Sequence, residues 1–277
     1  MKTIYMVAGL PRSGSTLLMN ILGQNPRFYV TPTSEVVHIL EQVRNIWDKN
    51  LAFCAMGRRQ SETIKRNVLE GILRSYFRHT DRPVCFDKSR RWPEYLEMAA
   101  TILGGREKIK VIVAVRDLRD VLASFEQAFR RTSALSQTPF EKDDPIKSKT
   151  ALGRMAYFLD NSQNVGYAYN AIRDAATRGW LDCMHFVEYD QLTQNPKGAM
   201  EDIYAFLGET GFAHDFENVE QVTFEDDFIY GYKDLHIIRQ QVRPQPPQWP
   251  KVFDQTVQNT PAWKDVEEIA QFWRTYI

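Results

Sequence analysis

The chain has 277 residues, with 35 lysines and arginines against 35 aspartates and glutamates, so its formal net charge at pH 7 is zero. Charged residues make up 25% of the chain and apolar residues 43%, which is typical of a soluble globular protein and argues against a disordered one. The balanced charge also argues against a protein dedicated to nucleic acids or anionic membranes, because such binding depends on a net positive charge.

The spacing of apolar residues predicts strands that alternate with helices along most of the chain. The expected strands, in chain order, lie at residues 4–8, 84–86, 110–115 and 184–189. The expected helices, in the same order, lie at residues 15–23, 35–48, 64–77, 93–103, 118–131, 152–178 and 196–207, with a short one near 266–276. Residues 133–150 are polar and carry two prolines, which predicts a long surface loop or lid.

The run at residues 110–115 is contiguous and apolar, which suits a parallel strand covered on both faces of a sheet. Together with the alternation, it predicts an α/β fold in which a mostly parallel central sheet is flanked by helices. We expect a single domain over residues 1–277, with a core at 3–210 and an irregular wrapping segment at 211–277. Ligands of such sheets bind beyond the carboxyl ends of the strands, so loops 9–15, 87–91, 116–117 and 189–191 should converge there.

The most informative motif is the loop between the first strand and the first helix, which reads Gly9-Leu-Pro-Arg-Ser-Gly-Ser-Thr16. Successive backbone amides at the N-terminal end of a helix bind phosphate or sulfate. Hydroxyl and guanidinium groups in the loop would add further donors. The motif therefore predicts an anion-binding site formed by Pro11, Arg12, Ser13, Gly14, Ser15 and Thr16.

The spacing of Gly9 and Gly14 also matches a Walker A loop, but the lysine that such a loop needs before its serine or threonine is missing. The cation stands inside the loop instead, as Arg12. This weakens a kinase or NTPase interpretation, although residues 111–115 followed by Asp117 could mimic a Walker B strand. A P-loop kinase or NTPase, and a non-catalytic nucleotide-binding module, are kept as alternatives.

Two motifs together resemble the sulfotransferases that use 3′-phosphoadenylyl sulfate (PAPS). The loop at residues 9–16 is similar to their 5′-phosphosulfate loop, in the form typical of the tyrosylprotein and some carbohydrate branches. Arg116 ends a strand, and Ser124 follows eight residues later, as in the pair that grips the 3′-phosphate in that family. The resemblance implies a P-loop NTPase-like sulfotransferase fold, PAPS as the sulfuryl donor, PAP as the product nucleotide, and no metal.

Weaker similarities to the same family imply further site residues. Lys88 ends a short strand where the family has a lysine that faces the transferring sulfuryl group. Glu35 resembles the glutamate general base of the tyrosylprotein branch, and His38, one turn later, is the alternative base. Tyr189 resembles a tyrosine that lies near the nucleotide. The resemblance thus implies Arg12, Lys88 and either Glu35 or His38 as catalytic residues, although Lys88 could be a surface cation and Glu35 a stabilising charge at a helix N-terminus.

The resemblance covers residues 3–210 and then fades. The tyrosylprotein branch has an arginine four residues after the serine, where this chain has Ala128, with Arg130 and Arg131 as the nearest substitutes. The basic residues Arg239 and Arg243 are weakly similar to a late loop that closes over the nucleotide. The acceptor therefore stays open between a carbohydrate, a peptide tyrosine and a small metabolite, with a hydroxyl or an amine as the accepting group.

Cysteines and histidines predict neither disulfides nor a metal site. The three cysteines are widely spaced, and the five histidines are scattered without a ligand motif. The apolar run at residues 4–8 is too short to cross a membrane and lacks a cleavage pattern. We therefore expect a cytoplasmic enzyme that binds PAPS and an acceptor, without metal, membrane or nucleic-acid partners.

Overall fold

A five-stranded, all-parallel sheet lies at the centre of the computed structural model, which describes residues 2–277. The chain places two strands on one side of the first strand and two on the other, in the order β2-β3-β1-β4-β5. A crevice therefore opens beyond the carboxyl ends of β1 and β4, where the direction of winding reverses. The strands are β1 (Thr3–Gly9), β2 (Phe28–Thr33), β3 (Val84–Lys88), β4 (Val111–Val115) and β5 (Met184–Glu188).

Helices cover both faces of the sheet and form most of its connections. In the part of the chain that the structure describes, they are α1 (Ser15–Leu22), α2 (Val36–Lys49), α3 (Leu51–Ala55), α4 (Arg58–Tyr76), α5 (Leu96–Leu103), α6 (Leu118–Ser133), α7 (Pro139–Asp143), α8 (Ala151–Leu159), α9 (Asn164–Thr177), α10 (Tyr189–Gln194), α11 (Pro196–Leu207), α12 (Trp249–Val252), α13 (Gln255–Gln258) and α14 (Pro261–Ile269). None of the helices within residues 2–277 is long and apolar enough to span a membrane.

Both faces of the sheet are packed, because alternate side chains of each strand point to opposite sides. On one face, Met6 and Val113 join a large apolar core with α5, α6 and α9. On the other face, Val7 and Ile112 pack against α1 and α11. All residues of β4 are buried. This confirms the predicted α/β fold of a single domain with a parallel central sheet.

The edge strand β2 has no counterpart among the predicted elements. It contains Pro32, and its pairing with β3 shifts between Val30 and Thr33. A proline cannot donate to the ladder, and it is tolerated here because β2 lies at the edge of the sheet. The proline makes the sequence before α2 resemble a turn, although it is a strand.

The helix predicted at residues 152–178 is divided into α8 and α9. Gly166 lies near the start of α9, where a Cβ would come within 2.2 Å of the Leu159 carbonyl oxygen. The missing side chain thus lets α9 pack closely against the end of α8. The apolar spacing continues across the break, which is why it predicts one long helix.

Two further predictions need correction. Residues 133–150 contain α7, whose N-terminus carries a capping box in which the Thr138 and Glu141 side chains each bond the other residue's amide. That motif is visible in the sequence and indicates a helix start rather than a loop. The helix predicted near residues 266–276 instead begins earlier, as α14, and gives way to a 3₁₀ turn at Phe272–Thr275.

The segment at residues 222–248, which we call the strap, crosses the carboxyl edge of the sheet without forming a helix or a strand. Side chains of the helical layer fasten it. Asn20 Oδ1 accepts a hydrogen bond from the Thr223 amide at 3.0 Å, and Asp120 Oδ1 accepts one from the Gln248 amide at 2.7 Å. The strap therefore forms one wall above the crevice.

Candidate functional site

A cavity of about 720 Å³ opens at the carboxyl edge of the sheet. Each of the four loops that the sequence predicts to converge contributes to its wall, which confirms that prediction. These contributions are residues 9–12, 14–15, 88–90, 116 and 189. The strap supplies the opposite wall, including Tyr230, His236, Arg239 and Arg243.

The loop after β1 holds a backbone shape that depends on two glycines. Gly9 has a φ of 139°, and a Cβ there would lie 2.0 Å from the Ala114 carbonyl oxygen. Gly14 has a φ of 85°, and a Cβ there would lie 2.6 Å from the ring of Tyr189. Arg12 also has a positive φ, 62°, which is strained for a residue that carries a side chain. Such strain is concentrated at functional sites, where the surrounding structure holds it in place.

The amides of this loop are free to bind an anion. Within residues 2–277, no group accepts a hydrogen bond from the amides of residues 12–16. The positive end of the α1 dipole lies at the same point, so the loop is electrostatically suited to phosphate or sulfate. Ser15 and Thr16 line the cavity as predicted donors, and Pro11 lines it without an amide hydrogen to offer.

Ser13 departs from the sequence prediction. Its side-chain oxygen lies 2.6 Å from the Leu10 carbonyl oxygen and 2.9 Å from that of Ala114, and the residue is buried. The hydroxyl therefore fastens the loop to β4 and is not offered to a ligand. Only the Ser13 amide is left as a donor.

Arg12 joins the two sequence motifs inside the cavity. Its Nε donates a hydrogen bond to Ser124 Oγ at 3.0 Å, although the two residues lie 112 positions apart. Burial, and the neighbouring Arg131, lower the pKa of Arg12 to about 10, so it is still charged at neutral pH. Among the described residues no carboxylate forms a salt bridge with Arg12. A half-buried cation without a salt-bridge partner is suited to an anionic ligand.

Arg116 and Tyr189 form the next part of the wall. Arg116 Nη2 donates to Asp120 Oδ2 at 3.3 Å, and its guanidinium carbon lies 4.4 Å from the centre of the Tyr189 ring. The Nε of Arg116 is buried and has no hydrogen-bond partner within residues 2–277. A buried unpaired donor is costly unless a ligand satisfies it, so this group fits a phosphate oxygen.

Lys88 links β3 to the anion-binding loop. Its Nζ donates to Thr16 Oγ1 at 3.3 Å and to Glu225 Oε1 of the strap at 3.0 Å. Burial lowers the pKa of Lys88. The cation that a Walker A loop carries in its own sequence is thus supplied here from a neighbouring strand.

Glu225 is the carboxylate that pairs with Lys88, and the sequence analysis does not identify it. Thr33 donates to Glu225 Oε1 through its amide at 2.9 Å and through its hydroxyl at 3.0 Å. Burial alone would raise the pKa of Glu225, but Lys88 and these hydrogen bonds outweigh it and lower the pKa to about 2. Glu225 is therefore an ionised carboxylate that ties the strap to β2 and β3.

The two residues predicted as general bases, Glu35 and His38, do not line the cavity. Glu35 is exposed, with Oε2 3.7 Å from Arg91 Nε, and the Nδ1 of His38 lies 2.9 Å from Glu41 Oε2. Glu35 is the N-cap residue of α2, and His38 occupies a half-buried position in the first turn of that helix. The prediction that either residue meets the acceptor therefore gains no support from the cavity wall.

Cations dominate the charged residues of the cavity wall. Such an excess suits a ligand with several negative charges. Within residues 2–277, no group of three His, Cys, Asp or Glu side chains is arranged to hold a metal ion. The cations are Arg12, Lys88, Arg90, Arg116, Arg131, Arg239 and Arg243, against the carboxylates of Asp120 and Asp234.

The strap residues are those that sequence reasoning identifies least well. Arg239 and Arg243 carry a weak signal, their similarity to a late basic loop, and both line the cavity. His236 and Tyr230 also line it, but nothing in their immediate sequence distinguishes them from residues of an ordinary surface loop. Their position depends on contacts with distant residues.

Comparisons with known proteins show relatives among the sulfotransferases. The relatives include human carbohydrate sulfotransferase 1, which is 32% identical over 126 residues, and the zebrafish (Danio rerio) protein of the same name, which is 31% identical over 126 residues. Each match covers 44% of this chain and 28% of the relative, so the chain spans less than a third of the length of these relatives in the matched region.

Solved structures share the fold at low sequence identity. The sulfotransferase domain from the Synechococcus PCC 7002 olefin synthase has a TM-score of 0.56 and 16% identity, and the match covers 99% of this chain and 94% of that one. Mouse sulfotransferase SULT7A1, solved in complex with PAP, has a TM-score of 0.52 and 12% identity, with coverage of 99% and 87%. The model of the sulfotransferase family matches residues 5–213. The chain therefore belongs to the sulfotransferase family.

Proposed function

We propose that this protein transfers a sulfuryl group from PAPS to a hydroxyl group of an acceptor. The observation that carries the proposal is the hydrogen bond between Arg12 and Ser124. It joins the loop predicted to bind the 5′-phosphosulfate to the pair predicted to bind the 3′-phosphate. Two anion sites in one cavity suit a nucleotide that is phosphorylated at both positions, whereas ATP and GTP carry no 3′-phosphate.

The hydrogen-bond donors that are free in the cavity indicate which residues would bind PAPS. The amides of residues 12–16, with Arg12 and Lys88, would hold the phosphosulfate group. Ser124 and the unpaired Nε of Arg116 would hold the 3′-phosphate, and Tyr189 would lie against the nucleotide. PAPS supplies the activated sulfuryl group when it is bound.

The chain's own groups would then stabilise charge. Transfer of this kind depends on in-line positioning and on donors that meet the negative charge of the departing phosphate. Lys88 is buried and Arg12 half-buried, and hydrogen bonds to Thr16 and Ser124 fix them, so they need little reorganisation when charge develops. These two cations would do the work that a metal ion does in many phosphoryl-transfer enzymes.

A carbohydrate is the first acceptor to test, because the relatives named above are carbohydrate sulfotransferases. A peptide tyrosine and a small hydroxylated metabolite are the other classes in the proposal. We also propose a cytoplasmic location, which fractionation of the source cells would test.

Incubation with ³⁵S-labelled PAPS and one acceptor of each class tests the function. We expect label on at least one acceptor, with one PAP released per sulfuryl group transferred. Consumption of Mg-ATP, with PAPS neither bound nor consumed, would contradict the proposal and support the kinase or NTPase alternative. PAPS binding without transfer to any acceptor would support the non-catalytic module.

A further inference from the structure

His236 of the strap is paired with a carboxylate at the cavity wall. Its Nδ1 lies 2.5 Å from Asp227 Oδ1, and its backbone amide donates to Asp227 Oδ2 at 2.9 Å. One buried carboxylate therefore fixes both the ring and the backbone of the same residue. Because Nδ1 faces a carboxylate, the neutral ring carries its proton there, and Nε2 is left with a free lone pair.

The charged groups that face His236 connect it to the transfer site. Glu225 Oε2 lies 3.6 Å from His236 Nδ1, and Glu225 Oε1 lies 3.0 Å from Lys88 Nζ. His236 is thus one carboxylate away from the lysine that contacts the anion-binding loop. Asp227, Glu225 and Lys88 are the charged groups around the ring, and Tyr230 packs edge-on with its ring centre 5.6 Å away.

The ring is in the form that accepts protons at neutral pH. Burial is the largest influence and lowers the pKa of His236, and the charge of Lys88 acts in the same direction. Asp227 and Glu225 oppose this shift without overcoming it. A neutral imidazole beside an oriented carboxylate has the arrangement of a general base.

We propose that His236 is the general base that takes the proton from the acceptor hydroxyl, and that Asp227 is the residue that positions it. This inference rests on the proposed function. The acceptor's O–H bond breaks and its proton goes to His236 Nε2, while the acceptor oxygen forms a bond to sulfur. The bond from sulfur to the bridging oxygen breaks, and its electron pair stays on the 5′-phosphate of PAP. The resulting imidazolium is stabilised by Asp227.

The first test needs no acceptor. Long-range ¹H–¹⁵N NMR of the ¹⁵N-labelled protein reports the tautomer and titration of each of its five histidines. The His236 signal is assigned by its loss in His236→Asn. We expect the Nδ1-protonated tautomer at pH 7.5, and its disappearance in Asp227→Asn. A doubly protonated ring, or an Nε2-protonated tautomer, would overturn the proposal.

The second test measures transfer and PAP binding on the same variants. We expect His236→Asn to lower kcat by about 10²–10⁴-fold with the Kd for PAP unchanged, and Asp227→Asn to lower kcat less and move the acid limb of the pH–rate profile. His79→Asn is the matched control, because His79 is exposed and bonds only the Tyr76 carbonyl oxygen. A kcat within twofold of the parent in His236→Asn would overturn the proposal, as would a large loss in His38→Asn or Glu35→Gln instead.

These outcomes separate the two proposals. If the parent protein transfers sulfuryl groups and His236→Asn does so equally well, the base is misassigned and the proposed function stands. If the parent binds no PAP and transfers nothing from PAPS, the proposed function fails, and the role of His236 falls with it.

Discussion

The two walls of the cavity are built in different ways. The donor wall comes from loops at the carboxyl ends of β1, β3, β4 and β5, where the hydrogen bonds of the sheet and of α1 fix each backbone. The strap wall comes from irregular chain that is fixed by side chains such as Asp227 and Glu225. The donor wall carries most of the cations and the free amides, and the strap carries Arg239 and Arg243 together with His236 and Asp227, the pair proposed to accept the proton.

The difference suggests that nucleotide binding and proton transfer can be damaged separately. A change in the donor wall should weaken binding of PAP, whereas a change at His236 or Asp227 of the strap should leave that binding intact. Substitutions in one wall at a time test this separation.

Arg12→Ala should have the largest effect, because Arg12 is the cation that joins both anion sites. We expect turnover of PAPS to fall by about 10³-fold, in line with the loss of a preorganised donor at a transition-state charge. Arg27→Ala is the matched control, since Arg27 is half exposed and pairs with Glu209 away from the cavity. Turnover within tenfold of the parent in Arg12→Ala would mean that the donor wall does not depend on this cation.

Glu225→Gln should have the next largest effect, through stability of the strap. The folded-state pKa of Glu225 is about 2, below its ordinary value of 4.5, so its contribution is present above pH 4.5 and is lost as the pH falls through 2. The variant should lower the free energy of unfolding at pH 7 by about 3 kcal/mol. Its free energy of unfolding should also fall less than the parent's as the pH drops from 4.5 to 2. Urea unfolding at several pH values measures this, with exposed Glu62→Gln as the control.

Gly14→Ala should weaken PAP binding by about thirtyfold, because the new Cβ would collide with the Tyr189 ring at 2.6 Å. Gly208→Ala is the matched control. Gly208 has a similar φ of 72°, but it caps α11 and its Cβ would meet only Lys110 Nζ, at 3.9 Å. Both variants bear backbone strain of about 1 kcal/mol, and only Gly14→Ala should change the Kd for PAP. An equal Kd in the two variants would show that the contact with Tyr189 does not shape the donor site.

Asp87→Asn should have the smallest effect, and it provides the contrast to Glu225. Asp87 is fully buried in β3, where it accepts a hydrogen bond from Trp92 Nε1 at 2.8 Å. Burial raises its pKa to about 6 from 3.8, so its contribution to stability is present below pH 3.8 and is lost as the pH rises through 6. The free energy of unfolding at pH 7.5 should therefore be higher for the variant than for the parent, by about 1–2 kcal/mol. A variant less stable than the parent at pH 7.5 would contradict this.

The donor wall is also the wall that the sequence predicts well. A short apolar strand, a glycine-bearing loop and a helix start are local patterns, so the loop at residues 9–16 can be recognised without long-range information. Arg116 and Tyr189 lie at the ends of predicted strands, Ser124 follows Arg116 by eight residues, and the family resemblance identifies all three from these local spacings. Their convergence follows from the rule that parallel strands end at one edge.

The strap, the strand β2 and the orientation of Glu35 depend on contacts between distant residues, which no local sequence pattern encodes. His236 reaches the cavity because Glu225 holds the strap against β2 and β3 and because Asp227 fixes the imidazole within the strap. The strand β2 is itself hard to recognise in the sequence because it contains Pro32. Glu35 has the residue type and the spacing of a general base, but it is the N-cap residue of α2 and its side chain is exposed beside Arg91. Side-chain orientation at a helix start is fixed by core packing, which a motif does not report.

The most direct measurement is the thermal stabilisation of the protein by PAP, ADP and Mg-ATP in parallel, all at one concentration that is a hundredfold above the Kd for PAP. A ligand at that excess adds about 2.7 kcal/mol, which should raise the Tm by about 5–10 °C. We predict this shift with PAP, a much smaller one with ADP, and the loss of the difference in Arg116→Ala. A shift with Mg-ATP and none with PAP would contradict the account, because it would mean that Arg116 and Ser124 do not form a 3′-phosphate site.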